Sequence, residues 1–128
     1  MVVRSLNSSV LVWPSRDEVL SAARTYAEKL VATDERVSRV ALIGSYATGE
    51  QGPGSDADLL VVLSRSDVPA PVRALQVAPP HLPVHSDVLV LTEAELGEWS
   101  LTRPRWSREV LGRAVTLAAR PVSQCSHT

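Results

Sequence analysis

The chain has no phenylalanine, one cysteine and a single lysine, Lys29, among its 13 basic residues. Each shortage removes a class of function. With three Trp and two Tyr as its only aromatics, it has little from which to build a base-stacking platform for single-stranded nucleic acid. Its formal charge is −1, so no net positive field draws in a nucleic-acid backbone, and direct nucleic-acid binding is not expected. A lone Cys125 cannot form an internal disulfide, which fits a reducing, cytoplasmic setting. No apolar run approaches the ~18 residues of a membrane-crossing helix. Met1–Val12 lacks the order of a secretory signal.

What remains is ordinary for a globular domain: 128 residues, 45% hydrophobic and 21% charged. That length predicts one domain over 1–128, with its core from Ser15 to Leu117 and loose termini. Ser15 with Glu18 forms a capping box ahead of apolar positions at helical spacing, predicting a helix through Ala32. Val37–Ile43, Asp56–Leu63 and Val84–Leu91 are β-branched or aliphatic runs that predict strands. Ser45–Gly49 predicts a turn or two of helix, and Ser64–Pro80, with four of the nine prolines, predicts only a short helix around Val72–Val77. Thr92–Glu95 opens a short helix and Pro104–Leu111 forms a last one stopped by Gly112. Val10–Trp13 and Ala114–Leu117 are candidate short strands, the second at an edge. The sum is a mixed sheet with flanking helices, an α/β (α+β) domain.

Three features carry chemistry. Gly44-Ser45 follows a strand and opens a short helix, where backbone N–H groups favour an anion and the Ser hydroxyl adds a donor. By itself this is also what a common strand-to-helix turn looks like. A Walker loop fails, since Glu50 and Gln51 stand where Lys and Ser/Thr are required, and no Gly-x-Ser-x-Gly elbow exists. The second feature is Asp56-x-Asp58, two carboxylates on one strand face that repel unless a cation sits between them. Oxygen-only ligands suit a hard ion such as Mg²⁺. The alternative is a loop cap followed by a solvated acid. Leu59–Leu63 has no polar residue, which places the pair at the end of an otherwise buried strand. The third is Asp87, a charge inside Val84–Leu91 that needs a metal or a partner such as Arg. His85 shares its face, whereas Ser86 points the other way, so His85-Ser86-Asp87 is no triad. If the two strands are neighbours, three carboxylates meet beside a phosphate-binding turn, the components of a two-metal phosphoryl or nucleotidyl transfer site. His81, His127, Trp13, Trp99, Trp106 and Cys125 read as bystanders or packing residues.

Gly44–Leu63, GSYATGEQGPGSDADLLVVL, resembles the signature of the DNA polymerase beta-like nucleotidyltransferase superfamily: Gly-Ser, ten residues, then Asp-x-Asp and an apolar strand. Asp87 matches the third carboxylate, and the small size resembles the minimal nucleotidyltransferase (MNT) group. The resemblance implies Gly44 and Ser45 holding a nucleoside triphosphate, with ATP as donor. It implies Asp56 and Asp58 bridging two Mg²⁺ ions, and Asp87 as a ligand to one ion and base toward the incoming hydroxyl. Many relatives have Ala-Arg-Gly where this chain has Ala47-Thr48-Gly49, so a phosphate-facing Arg is replaced by Thr48.

Only Thr92–Thr128 follows the third strand, which leaves no room for the acceptor-binding helical domain of antibiotic-modifying relatives. The resemblance then implies a helical HEPN-type partner protein, in a toxin–antitoxin pair, as acceptor of AMP. One alternative is nucleotidyl transfer to a small-molecule alcohol such as an antibiotic, with a homo-oligomer walling the pocket. Another is an antitoxin that acts by binding without catalysis. No membrane partner is expected.

Overall fold

The first helix, α1 (Arg16–Thr33), begins where the sequence offers a reciprocal cap: the Glu18 amide donates to Ser15 Oγ at 3.1 Å and the Ser15 amide donates to Glu18 Oε1 at 2.7 Å. In the computed structural model, which describes residues 14–52 and 54–120, α1 buries one stripe, Val19, Ala23, Ala27 and Leu30. The chain continues as β1 (Val37–Ile43), the one-turn helix α2 (Ser45–Thr48), and β2 (Ala57–Leu63). A Pro-rich crossover holds α3 (Ala70–Arg73) and a 3₁₀ turn (Ala74–Gln76). Then come β3 (Ser86–Thr92), α4 (Glu93–Thr102), α5 (Pro104–Glu109), a 3₁₀ turn (Leu111–Arg113) and β4 (Val115–Ala119).

The four strands order as β3-β2-β1-β4. β1 runs antiparallel to both β2 and β4, whereas β2 and β3 are parallel, joined by the crossover. The sheet is therefore mixed, with helices on both faces. On one face Leu59, Val61 and Leu63 of β2, with Val40 and Leu42 of β1, pack on the α1 stripe. On the other, Leu60, Val62, Ala41, Ile43 and Leu91 meet Leu96 and Trp99 of α4, Trp106 of α5 and Val110 just after it. Burial on both sides is why β2 reads as an unbroken aliphatic run.

The expected elements are found with shifted ends. Asp56 precedes β2 and does not belong to it, and β3 begins at Ser86, because the Ala57 amide donates to His85 O at 2.9 Å as the last bond before the ladder. Gly112 lies within the 3₁₀ turn and does not stop a helix: α5 ends at Glu109. The edge strand is present as β4 and runs two residues beyond Leu117. Val10–Trp13, Cys125 and His127 lie outside the described residues. Among the described residues, no helix is long and apolar enough to cross a membrane.

Candidate active site

Register places the acids. Parallel pairing sets Asp58 directly opposite Asp87, with Ala57 opposite Ser86 one step before. Strand alternation puts Asp58 in the row of Leu60 and Val62, and Asp87 in the row of Leu89 and Leu91, so both face the α4–α5 side of the sheet. Asp56 and His85 flank them one step outside the ladder. One ligand atom each from Asp56, His85 and Asp87 lie within 4.8 Å of one another. Both acids stand at the N-terminal ends of their strands.

Asp58 is half-buried, whereas Asp56 and Asp87 are exposed. Burial, together with the charges of Asp87 and Asp56, holds the Asp58 carboxyl above the ordinary carboxylate range. Among the described residues, the ion pair these acids make is Asp56 Oδ1 with His85 Nδ1, at 3.7 Å. The cluster thus concentrates negative charge that its own side chains leave largely uncompensated. Among the described residues, no arginine pairs with Asp87.

Gly44 closes the other side. Its backbone, at φ 78° and ψ −155°, occupies a region that only glycine enters readily. A Cβ there would sit 2.6 Å from Asp58 Oδ2, so glycine is required by its dihedrals and also lets that carboxylate lie against the backbone as it does. From this bend α2 starts. The amides of Ala47 and Thr48 donate to Gly44 O at 3.0 and 3.2 Å, leaving the first amides of the turn without intrahelical acceptors. The structure therefore brings Gly44, with Ser45 next to it in the chain, against the Asp58 side of the acidic cluster. Thr48 uses its hydroxyl on Ser45 O at 3.2 Å and Glu50 Oε1 at 3.1 Å.

The family profile of the nucleotidyltransferase domain matches residues 23–112, which include Gly44, Ser45, Asp56, Asp58 and Asp87. This chain belongs to the nucleotidyltransferase domain family. Among solved structures, the fold of this nucleotidyltransferase domain is similar to that of a "putative nucleotidyltransferase from Sulfolobus solfataricus". The TM-score is 0.60 and the identity 21%, over 82% of this chain and 84% of that one. No curated protein matches the sequence. Members of such a family work on nucleoside triphosphates with divalent cations, and the donor set of this domain fits a divalent cation. It consists of clustered carboxylates, among which burial and the charges of Asp87 and Asp56 hold the Asp58 carboxyl above its ordinary range, set against a glycine that leaves room for a carboxylate oxygen.

Two residues had no role assigned from sequence. His85 repeats, on β3, the alternation of Asp56-x-Asp58 on β2, and that repetition is the signal that would have found it. Arg73 gave no signal, because it sits in a Pro-rich stretch. It is 4% exposed and bridges the crossover to the end of β3 and the start of α4. Its guanidinium donates to Val68 O at 2.8 Å and 3.1 Å, to Val90 O at 3.4 Å, and to both oxygens of Glu95.

Proposed function

We propose that this nucleotidyltransferase moves AMP from ATP onto a hydroxyl of a partner protein, a helical chain of the HEPN kind, as the antitoxin of a toxin–antitoxin pair. The observation that carries the catalytic part is the meeting of Asp56, Asp58 and Asp87 beside the Gly44–Ser45 bend. The resemblance to the MNT group supports the choice of partner and donor.

In this reading the acceptor oxygen attacks the α-phosphorus of ATP. The bond from that phosphorus to the bridging oxygen of the β-phosphate breaks, and pyrophosphate leaves. Asp56, Asp58 and Asp87 would hold the cations, read as two Mg²⁺. Such ions would supply positive charge to offset that of the triphosphate and of the transition state. Asp87 takes the proton of the acceptor hydroxyl, since it is exposed and stands at the strand end where an acceptor can approach. The open amides of α2 and the Ser45 hydroxyl donate to phosphate oxygens, and Gly44 lets the triphosphate come close to the backbone. Thr48 is neutral and lends no charge to the phosphates.

The test is incubation of the chain with ATP labelled at the α-phosphate, Mg²⁺ and the product of the neighbouring gene. Label on a hydroxyl-bearing side chain of that protein is the expected result. Label on an added aminoglycoside-like alcohol, with the protein clean, moves the acceptor to small molecules. Protection of cells by an Asp56→Ala, Asp58→Ala double variant shows that binding suffices.

A further inference from the structure

Asp56-x-Asp58 and His85-x-Asp87 enter the site side by side, one pair from each parallel strand. Ala57 pairs with Ser86, so the residues just before them, Asp56 and His85, are neighbours. The bond from the Ala57 amide to His85 O, 2.9 Å, fixes the backbone at that step. His85 therefore reaches the cluster from a position as well defined as that of the acids. Its ring is 72% exposed. Nδ1 stands 3.7 Å from Asp56 Oδ1, within ion-pair reach but beyond hydrogen-bond distance, so no hydrogen bond ties up the lone pair of that nitrogen. The ligand atoms of Asp56, His85 and Asp87 lie within 4.8 Å of one another, close enough for one ion to reach all three after small side-chain rotations.

We propose that His85 is a cation ligand of this site together with Asp56 and Asp87, and that its nitrogen shifts the site's preference from Mg²⁺ toward Mn²⁺. The inference rests on the reading of the acids as a cation site and goes beyond it in ligand set and metal. Mg²⁺ dehydrates reluctantly and takes oxygen ligands in near-ideal octahedra. Mn²⁺ stays at home among carboxylates but accepts imidazole, and stands at the start of the series in which nitrogen donors gain affinity. A neutral imidazole also adds a ligand without adding a charge, which suits a cluster that already holds three acids. The alternative is a solvated His–Asp contact with no part in metal binding.

The experiment uses the full chain with Mn²⁺ alone. Pulsed electron paramagnetic resonance reads ¹⁴N modulation on the bound Mn²⁺, and equilibrium titration gives the Mn²⁺ and Mg²⁺ affinities, the second by competition. The wild type is expected to show nitrogen modulation that His85→Gln loses and His81→Gln keeps. His85→Gln is expected to weaken Mn²⁺ by about 10-fold, the lower end for loss of a supporting group at a metal site, and to leave Mg²⁺ nearly unchanged. Modulation that is absent in the wild type, or that persists in His85→Gln, overturns the proposal. So does an equal loss of Mn²⁺ and Mg²⁺ affinity, which marks a structural effect. If Asp87→Asn abolishes Mn²⁺ binding while His85→Gln binds as the wild type does, the histidine has failed and the carboxylate site stands. If the wild type binds no Mn²⁺ at all, both fail together.

Discussion

The two ends of β3 treat carboxylates in opposite ways. At its start, Asp87 faces Asp58 across the parallel ladder, and the charges of Asp87 and Asp56 both push the Asp58 carboxyl upward. At its end, Glu93 accepts from Ser38 Oγ at 2.7 Å, and Glu95 is forked by Arg73 and closes the α4 capping box. Arg73 and the cap hold the Glu95 carboxyl below its ordinary range. One end is arranged so that charges stabilise the fold. The other keeps charges that the fold alone does not satisfy, which is the expected state of groups reserved for a ligand. The same strand thus carries a paired terminus and an acidic one, seven residues from Ser86 to Thr92.

The contrast can be broken at the acidic end first. Asp87→Asn should reduce nucleotidyl transfer by about 10²–10⁴-fold, the usual share of a general base, with melting temperature held or raised. A variant that keeps wild-type turnover removes Asp87 from the chemistry. Gly44→Ala should cost ~1–3 kcal/mol in denaturant titration, because the new Cβ meets both a glycine-only backbone region and the Asp58 carboxylate. It should also abolish transfer. Pairing it with Asp58→Gly relieves the contact but not the dihedral, so part of the loss should persist.

At the paired end, Arg73→Ala should destabilise by about 2 kcal/mol, less than the ~3–5 of a fully buried pair, since Glu95 can turn to water with its side chain 32% exposed. pH sharpens the comparison further, because the two carboxyls are displaced in opposite directions. The contribution of Glu95 is full above its unfolded pKa and is lost as pH falls through its lowered folded value. The gap in stability between wild type and Glu95→Gln should therefore close on acidification below about pH 4. Asp58, whose folded pKa is raised, does the reverse: its ionised form weakens the fold at neutral pH, and the penalty disappears as pH falls below its unfolded value. Asp58→Asn should be at least as stable as wild type at pH 7, and thermal melts across pH read both signs. The smallest effect is at the cap, where Thr92→Ala should cost ~1 kcal/mol and Thr92→Ser should restore most of it.

The positions of the elements were legible because this chain states them locally. Ser15 and Glu18, Thr92 and Glu95 are reciprocal caps that need no tertiary context. The aliphatic run after Asp58 announced a strand covered on both faces. The pairing of Asp58 with Asp87 was legible only as a condition, that their strands be neighbours, since register is set by a crossover that sequence does not show. Arg73 was illegible for the same reason. Its acceptors Val68, Val90 and Glu95 come from three separate segments, and no spacing in the sequence relates them. The end of α5 was misplaced because Gly112 is a stop signal in sequence but sits here inside a 3₁₀ turn, where its lack of a side chain is not needed: a Cβ would meet nothing closer than 3.8 Å.

Thr92 ends β3 and caps α4 at the same time, with no connecting residue between. Sheet and helix are thereby welded, and α4 becomes a rod of about 15 Å attached stiffly to the strand that bears Asp87. Its far end carries Leu101, 84% exposed. Because helix and strand share Thr92, the direction in which α4 presents that side chain is set by the strand that bears Asp87.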